Sequence, residues 1–184
     1  MISSLFTRLA GGDAEKALEE LHHGYFHALF RFVYAIVRCK ETSEEIVNDV
    51  FITLWKRRAK LADITNPEVY LFVCAKNAAL KYLQSKRITY TDLDELPDFS
   101  LKLERNPEEI LISSEMLLHI NKTIDQLPPK CKMIFLLAKQ DNLKYREVAE
   151  VLQLSEKTVE NQLVIALKKI SNAIPFYMAA ARKK

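Results

Sequence analysis

Residues 145–170, YREVAEVLQLSEKTVENQLVIALKKI, predict two helices of unequal length that pack around a tight turn. Apolar residues recur at three- and four-residue steps in both halves, which is typical of amphipathic helices. Ser155 is a favourable N-cap for the second helix, and Glu156 suits the positive end of that helix. Gln153 stands in the turn, where a glycine commonly adopts a positive φ angle, so modest strain is expected. This is the layout of a helix-turn-helix, whose second helix enters the major groove of DNA.

The two helices are expected to bury one apolar stripe each. The stripe of the first helix comprises Val148, Ala149 and Leu152. It faces a second stripe that comprises Leu154, Val159, Leu163, either Ala166 or Leu167, and Ile170. The outward face of the second helix then carries Lys157, Thr158, Asn161, Gln162, Ile165 and Lys168. Lys157 and Thr158, near its amino terminus, can bind phosphates. Asn161 and Gln162 can each pair with adenine, and Ile165 can contact a thymine methyl group. An ordinary helical hairpin with a polar outer face remains the alternative.

The chain as a whole is predicted to be all-α. Its 184 residues suit one or two small domains, and its 49% hydrophobic residues are enough for packed cores. It contains only 3 glycines and lacks the alternating runs expected of strands. Long stretches rich in Ala, Leu, Glu and Lys favour helix instead.

The net charge of +3 conceals an uneven distribution. Residues 1–87 carry +3, residues 88–115 carry −6, and residues 116–184 carry +6. Two basic ends around an acidic middle indicate a polyanionic partner at the ends. Solvated helix faces that are basic without binding anything are the alternative.

The cysteines and the amino terminus indicate the compartment. Cys39, Cys74 and Cys131 are far apart, odd in number and next to apolar residues, so buried free thiols in a reducing cytosol are expected. The first residues lack an apolar core of signal-peptide length, and no apolar run is long enough for a membrane span. We therefore expect a cytoplasmic protein without membrane insertion.

The first half is expected to form three helices. The first runs from a cap at Asp13 to about Arg38, along one apolar stripe. The second, EEIVNDVFITLWKRR, follows Thr42 and Glu45, which have the spacing of a capping box. The third begins at Asn66, an N-cap followed by a proline at the first helical position.

The second half is expected to begin with a linker. Residues 88–105 lose periodicity and carry acids and a proline, which predicts a flexible acidic linker. Asn106 repeats the Asn-Pro cap and opens a helix through about Leu127, where two prolines must break it. A helix over KCKMIFLLAKQ and the helix-turn-helix at 144–152 and 156–171 complete the chain.

Three stretches resemble the small RNA polymerase sigma factors of the extracytoplasmic-function (ECF) type, within the sigma-70 family. EEIVNDVFITLWKRR, residues 44–58, is similar to the family's polymerase-binding helix in region 2. PEVYLFVCAKNAALKYLQSKR, residues 67–87, is similar to its promoter-melting and minus-ten segment. LPPKCKMIFLL and the segment 143–170 look like region 4. The order and spacing of these stretches are more specific than the helix-turn-helix alone.

The resemblance implies two small helical domains on a flexible linker: region 2 at 1–87, the linker at 88–105 and region 4 at 106–184. Its expected partners are core RNA polymerase, promoter DNA and an anti-sigma factor, and neither catalysis nor a cofactor is expected. The residues carried over to the polymerase-binding surface are Asn48, Asp49, Thr53 and Lys56. Those carried over to single-stranded minus-ten DNA are Lys76, Asn77, Lys81, Tyr82, Lys86 and Arg87. Asn161, Gln162 and Ile165 match positions that read the minus-thirty-five element.

Some positions depart from the family pattern. Asn48 replaces a usual Gln, Tyr70 a usual Trp, and Val73 a frequent Arg. These departures bear on promoter sequence rather than on the role. Aromatic side chains beside basic ones still offer a stacking surface with phosphate neutralisation, worth about 1–3 kcal/mol per stacked base.

Two other classes of function have less support in the sequence. His23 and His27 share a helix face at metal-binding spacing, but no carboxylate or cysteine is placed to complete a site, and no nucleophile–base pattern occurs. The nearer alternative is a helix-turn-helix regulator of the response-regulator type, which acts without binding core polymerase. Such a regulator would carry an α/β amino-terminal domain, whereas this first half is predicted to be helical and basic.

Overall fold

The computed structural model describes residues 2–86 and 120–181, with side chains described through residue 172. Every regular element in these ranges is helical, as the sequence predicted. No helix in the described part of the chain is long and apolar enough to cross a membrane. The predicted linker at 88–105, the helix start at Asn106 and Arg87 lie outside the described residues.

The amino-terminal domain is a bundle of four α-helices. They are α1 (Ile2–Ala10), α2 (Ala14–Val37), α3 (Lys40–Arg57) and α4 (Pro67–Ser85), with a 3₁₀ helix at Arg58–Asp63 between the last two. Its core is centred on Phe6, Phe32 and Phe72, which are fully buried. The rings of Phe32 and Phe72 meet edge to face at 5.4 Å, a favoured aromatic geometry.

The sequence did not predict α1. This short helix buries Leu5, Phe6 and Leu9 against α2 and the 3₁₀ helix. Arg8 fixes its end by donating to the carboxylates of both Asp13 and Glu20. Helix α2, in contrast, begins after Asp13 and ends before Arg38, as predicted.

The predicted start of α3 was wrong. Thr42 and Glu45 do not form a capping box, because the helix already begins at Lys40 with Cys39 before it. Arg38 takes a left-handed conformation (φ 53°) and donates its N–H to the carbonyl of Tyr34, so α2 ends abruptly and α3 starts at once. Thr42 is consequently buried inside the helix.

Helix α4 starts as the sequence predicted. Asn66 is the N-cap, and its side-chain oxygen accepts a 3.3 Å hydrogen bond from the N–H of Val69. Pro67 follows at the first helical position, where its missing N–H costs nothing. The cysteines are free, but only Cys131 is fully buried, and the prediction of three buried thiols was wrong for Cys39, which is exposed in the α2–α3 turn.

The carboxy-terminal domain contains a helix-turn-helix. Residues 120–125 form the described part of α5, followed by α6 (Pro129–Phe135), a π-helical turn (Leu136–Gln140), α7 (Tyr145–Leu152) and α8 (Glu156–Ala181). The break at the two prolines and the positions of α7 and α8 agree with the sequence, although α8 continues beyond the predicted residue 171.

The turn between α7 and α8 has the predicted chemistry. Gln153 adopts φ 57° and ψ 50°, the left-handed conformation expected where glycine is common. Ser155 caps α8 by accepting a 3.1 Å hydrogen bond from the N–H of Thr158. Of the two alternatives for the stripe on α8, Ala166 is buried and Leu167 is exposed. Val151, which the prediction omitted, is also buried.

Candidate nucleic-acid interface

The outward face of α8 carries most of the residues predicted to contact double-stranded DNA. Lys157, Asn161, Ile165 and Lys168 are exposed, whereas Thr158 and Gln162 are half-buried at one edge of the face. The buried stripe of Val159, Leu163, Ala166 and Ile170 anchors the opposite side of the helix. The fold therefore presents a continuous polar and apolar strip that has the shape to enter a major groove.

Glu160 is accommodated on this helix by an ion pair. Its carboxylate accepts a hydrogen bond from the ammonium of Lys157 at 2.8 Å, one turn away, and both groups are exposed. The hydroxyls of Ser155 and Thr158 are also paired, at 2.8 Å. Lys168 provides positive charge further along the same helix.

Val164 is an exposed residue of this face that the sequence prediction missed. It is 60% exposed and lies three residues after Asn161 and four before Lys168. That spacing places all three on one side of a helix and was the available signal. Val164 and Ile165 together give the strip an apolar centre.

Helix α4 carries a second polar surface. Asn77, Lys81 and Lys86 are exposed on it. Tyr82 is half-buried, with its hydroxyl 3.5 Å from that of Thr42 in α3 and the ammonium of Lys86 6.0 Å from its ring centroid. The arrangement combines one exposed amide with an aromatic ring flanked by lysines, which suits an unpaired strand.

Lys76 does not join this surface. Its residue is only 7% exposed and lies in the bundle beside Phe72 and Ala79 on the core side of α4. Burial lowers the pKa of its ammonium group, because removal from water disfavours the charged form. Lys76 is therefore not part of the exposed surface of α4.

Helix α3 carries a third surface, on the far side from its buried stripe. Asn48, Asp49 and Lys56 are exposed, and Thr53 is half-buried. The sequence prediction missed Ile52, an apolar residue that is 48% exposed among them. Its position four residues after Asn48 and four before Lys56 was the signal. A shallow groove beside this surface is lined by Glu15, Leu18, Asn48, Phe51, Ile52 and Trp55.

Two histidines of the cluster, His22 and His27, contact aromatic rings. The ring of His22 lies 4.9 Å from that of Phe26 and 4.7 Å from that of Phe51. Within the described residues, no group of three or more His, Cys, Asp or Glu side chains is placed to hold a metal ion.

Comparison with family models gives a match for each of the two domains. Residues 21–88 match sigma-70 region 2, and residues 117–170 match sigma-70 region 4. Together the two matches cover about two thirds of the chain. They contain all three surfaces: the whole of α3 and α4 in the first match, and the outward face of α8 in the second.

Individual relatives agree with the family models. The chain is 28% identical over 178 residues to the ECF RNA polymerase sigma-E factor of Escherichia coli K12, covering 92% of each chain. It shares its fold with the sigma factor RpoE of Bartonella quintana, solved with the anti-sigma factor NepR (TM-score 0.64, 15% identity, 87% of this chain and 98% of that one). The chain also shares its fold with CnrH, solved with the cytosolic domain of CnrY (TM-score 0.58, 20% identity, 94% of this chain and 96% of that one). The chain belongs to the sigma-70 family of RNA polymerase sigma factors, to its ECF type.

Proposed function

We propose that this chain binds core RNA polymerase through the outward face of α3 and directs it to promoters read by α4 and α8. The observation that carries the proposal is the presence of three exposed helix faces within the two sigma-70 matches. A regulator of the response-regulator type is not favoured, because the amino-terminal half is a helical bundle that matches region 2.

The α3 surface has the composition of a protein-binding site. Ile52 offers an apolar centre beside a groove, and Asn48, Asp49 and Lys56 surround it with polar groups. A desolvated centre with a polar rim is the usual anatomy of a protein–protein interface. Thr53, half-buried at the edge, completes the proposed polymerase contact.

The α4 and α8 surfaces divide the reading of the promoter between them. On α4, Asn77 receives an unstacked minus-ten base, with Lys81, Tyr82 and Lys86 along the single strand. On α8, Asn161 and Gln162 read base edges of the minus-thirty-five element, Ile165 contacts a thymine methyl group, and the lysines bind phosphates. Arg87 extends the proposed minus-ten set.

The proposal extends to an anti-sigma factor as a further partner and to the cytoplasm as the compartment of the chain. The solved Bartonella relative is bound to an anti-sigma factor, which supports an anti-sigma factor as a partner of this chain as well. Because polymerase and promoter DNA lie in the cytoplasm of a bacterium, we place the chain there. It catalyses no reaction of its own and needs no cofactor, since its task is to position polymerase on DNA.

Association with core polymerase tests this proposal. Purified chain is mixed with core enzyme and separated by size-exclusion chromatography, alongside the variant Ile52→Asp. We expect the natural chain to migrate with core at a one-to-one ratio and the variant to migrate alone with unchanged helical content. If the natural chain does not migrate with core, the proposed function is wrong.

A further inference from the structure

The two domains pack directly against each other, and polar side chains join them. Helix α7 lies against α4, and α6 and the π-helical turn lie against α2. The guanidinium of Arg31 in α2 donates to the carboxylate of Asp141, just after the π-helical turn, at 2.9 Å. The side-chain amide of Asn66 before α4 donates to the carboxylate of Glu147 in α7 at 3.1 Å. Each bond links one domain to the other.

The ion pair at this interface is buried and incompletely satisfied. The side chain of Asp141 is 6% exposed and that of Arg31 is 30% exposed. The second oxygen of Asp141 and the Nε of Arg31 are buried without a hydrogen-bond partner among the described residues. An ion pair of this kind is costly to bury, because its desolvation is only partly compensated.

Acidic groups crowd the same interface. Glu68 of α4 accepts a 3.4 Å hydrogen bond from the hydroxyl of Tyr25. The charge of Glu147 raises the pKa of Glu68, and the charge of Glu68 in turn raises the pKa of Asp141. The carboxylates of Glu68, Asp141 and Glu147 therefore lie at this interface, and the guanidinium of Arg31 pairs with that of Asp141. Among the described residues, the charged groups that act on Asp141 are Arg31 from α2 and Glu68 from α4.

The closed arrangement is incompatible with simultaneous reading of both promoter elements. The minus-ten and minus-thirty-five elements are separated by about 25 base pairs, or roughly 85 Å of duplex at 3.4 Å per base pair. A compact chain of this length has a radius of gyration of only about 16 Å. Because α4 and α7 are in contact here, the domains must separate before the chain spans a promoter.

We propose that the free chain is held closed by this interface, and that the carboxylates of Asp141 and Glu68 form an acid-sensitive latch that tightens as the pH falls. The latch goes beyond the proposed function, since it concerns the chain before polymerase binds. Closure hides the α4–α7 surface and holds the two domains too close together to reach both promoter elements. Polymerase binding then has to supply the energy of opening.

The direction of the pH effect follows from proton linkage. Burial raises the pKa of Asp141 from 3.8 to about 6, against the opposing effect of Arg31. Burial and the charge of Glu147 likewise raise the pKa of Glu68. The closed form therefore binds protons more tightly than the open form, so closure is favoured at low pH and weakened as the pH rises through 6. If the pKa of Asp141 returns to 3.8 on opening, proton linkage at this residue alone makes the expected closure about tenfold more favourable at pH 5 than at pH 8.

Small-angle X-ray scattering of the free full-length chain at pH 5 and pH 8 tests the latch, with neither polymerase nor DNA present. The radius of gyration is measured for the natural chain and for Asp141→Asn, which mimics the protonated carboxyl. Arg31→Met removes the counter-charge while keeping the aliphatic stem. Glu20→Gln is the matched control, because Glu20 also pairs with an arginine but within one domain. Circular dichroism confirms that each variant keeps its helices.

We expect Arg31→Met to be expanded at pH 8 and compact at pH 5, because a buried unpaired Asp141 opposes closure until it is protonated. Asp141→Asn should have a small radius of gyration at both pH values. Glu20→Gln should have the same radius as the natural chain at each pH. Equal radii for Arg31→Met at the two pH values would overturn the latch, as would an expanded Asp141→Asn. Since polymerase is absent, either result leaves the proposed function standing.

Discussion

The side chain of Asn66 serves a helix and a domain interface at the same time. Its oxygen caps α4 by accepting from the N–H of Val69, and its nitrogen donates to Glu147 at 3.1 Å. Glu147 in turn accepts from the backbone N–H of Lys144 at 2.8 Å, at the start of α7. The starts of one helix in each domain are thus connected through a single pair of side chains.

This dual role predicts that Asn66→Asp separates the two functions. Aspartate is an equally good N-cap, so α4 should keep its stability, but the donor to Glu147 is lost and two carboxylates face each other. We expect a larger radius of gyration at pH 8 with little change in the free energy of unfolding. Asn66→Ala, which also removes the cap, should cost about 1 kcal/mol in chemical denaturation. An unchanged radius for Asn66→Asp would show that the Asn66–Glu147 bond does not hold the domains.

The α3 surface predicts a loss of polymerase affinity on Ile52→Asp. A charge placed at this exposed apolar centre should weaken binding by about 2 kcal/mol, as expected for the centre of an interface. The free energy of unfolding should change by less than about 0.5 kcal/mol, because the side chain is half exposed. Titration of fluorescently labelled chain with core enzyme measures the affinity. Ile52→Val is the control and should bind normally; equal affinities for both variants would remove Ile52 from the interface.

The α8 face predicts different outcomes for its amide and its lysine. Asn161→Ala should cost about 1–3 kcal/mol at particular base pairs and relax specificity there. Lys168→Ala should instead weaken binding to all sequences and reduce the dependence of affinity on salt. Binding of the holoenzyme to a library of minus-thirty-five variants at several salt concentrations distinguishes the two. A uniform loss for Asn161→Ala would mean that this residue contacts phosphate.

Neighbouring residues of α4 are also expected to behave differently. Asn77→Ala should reduce promoter melting without changing stability, because its side chain is exposed on the proposed single-strand surface. Lys76→Met should leave melting intact and leave the free energy of unfolding equal or higher, because it removes a desolvated charge. Permanganate reactivity of unpaired thymines reports melting. A melting defect in Lys76→Met alone would reverse the assignment.

Local signals in the sequence predicted much of the fold. Asn66 and Ser155 were identified as N-caps because capping depends on a few adjacent residues, and both make the expected hydrogen bonds. The start of α3 was mispredicted because the left-handed turn occurs at Arg38, a residue type that rarely adopts it. Helix α1 was missed because its three buried side chains gain their partners only in the folded bundle.

The candidate surfaces were predictable to a lesser degree. Most outward residues of α3 and α8 followed from helical spacing, but Ile52 and Val164 were assigned neither to the buried stripe nor to the outward face. Lys76 was expected on the minus-ten surface from the family resemblance, but it is buried in the bundle. The contact of Arg31 with Asp141 joins residues 110 positions apart, and no local pattern encodes it.

The most direct test of the central claim is mapping of transcription start sites in a reconstituted reaction. Core polymerase transcribes genomic DNA with and without the purified chain, and the 5′ ends of the transcripts are sequenced. We expect a limited set of new start sites that share two upstream elements and that are used less with Asn77→Ala. A transcript population identical to that of core polymerase alone would contradict it.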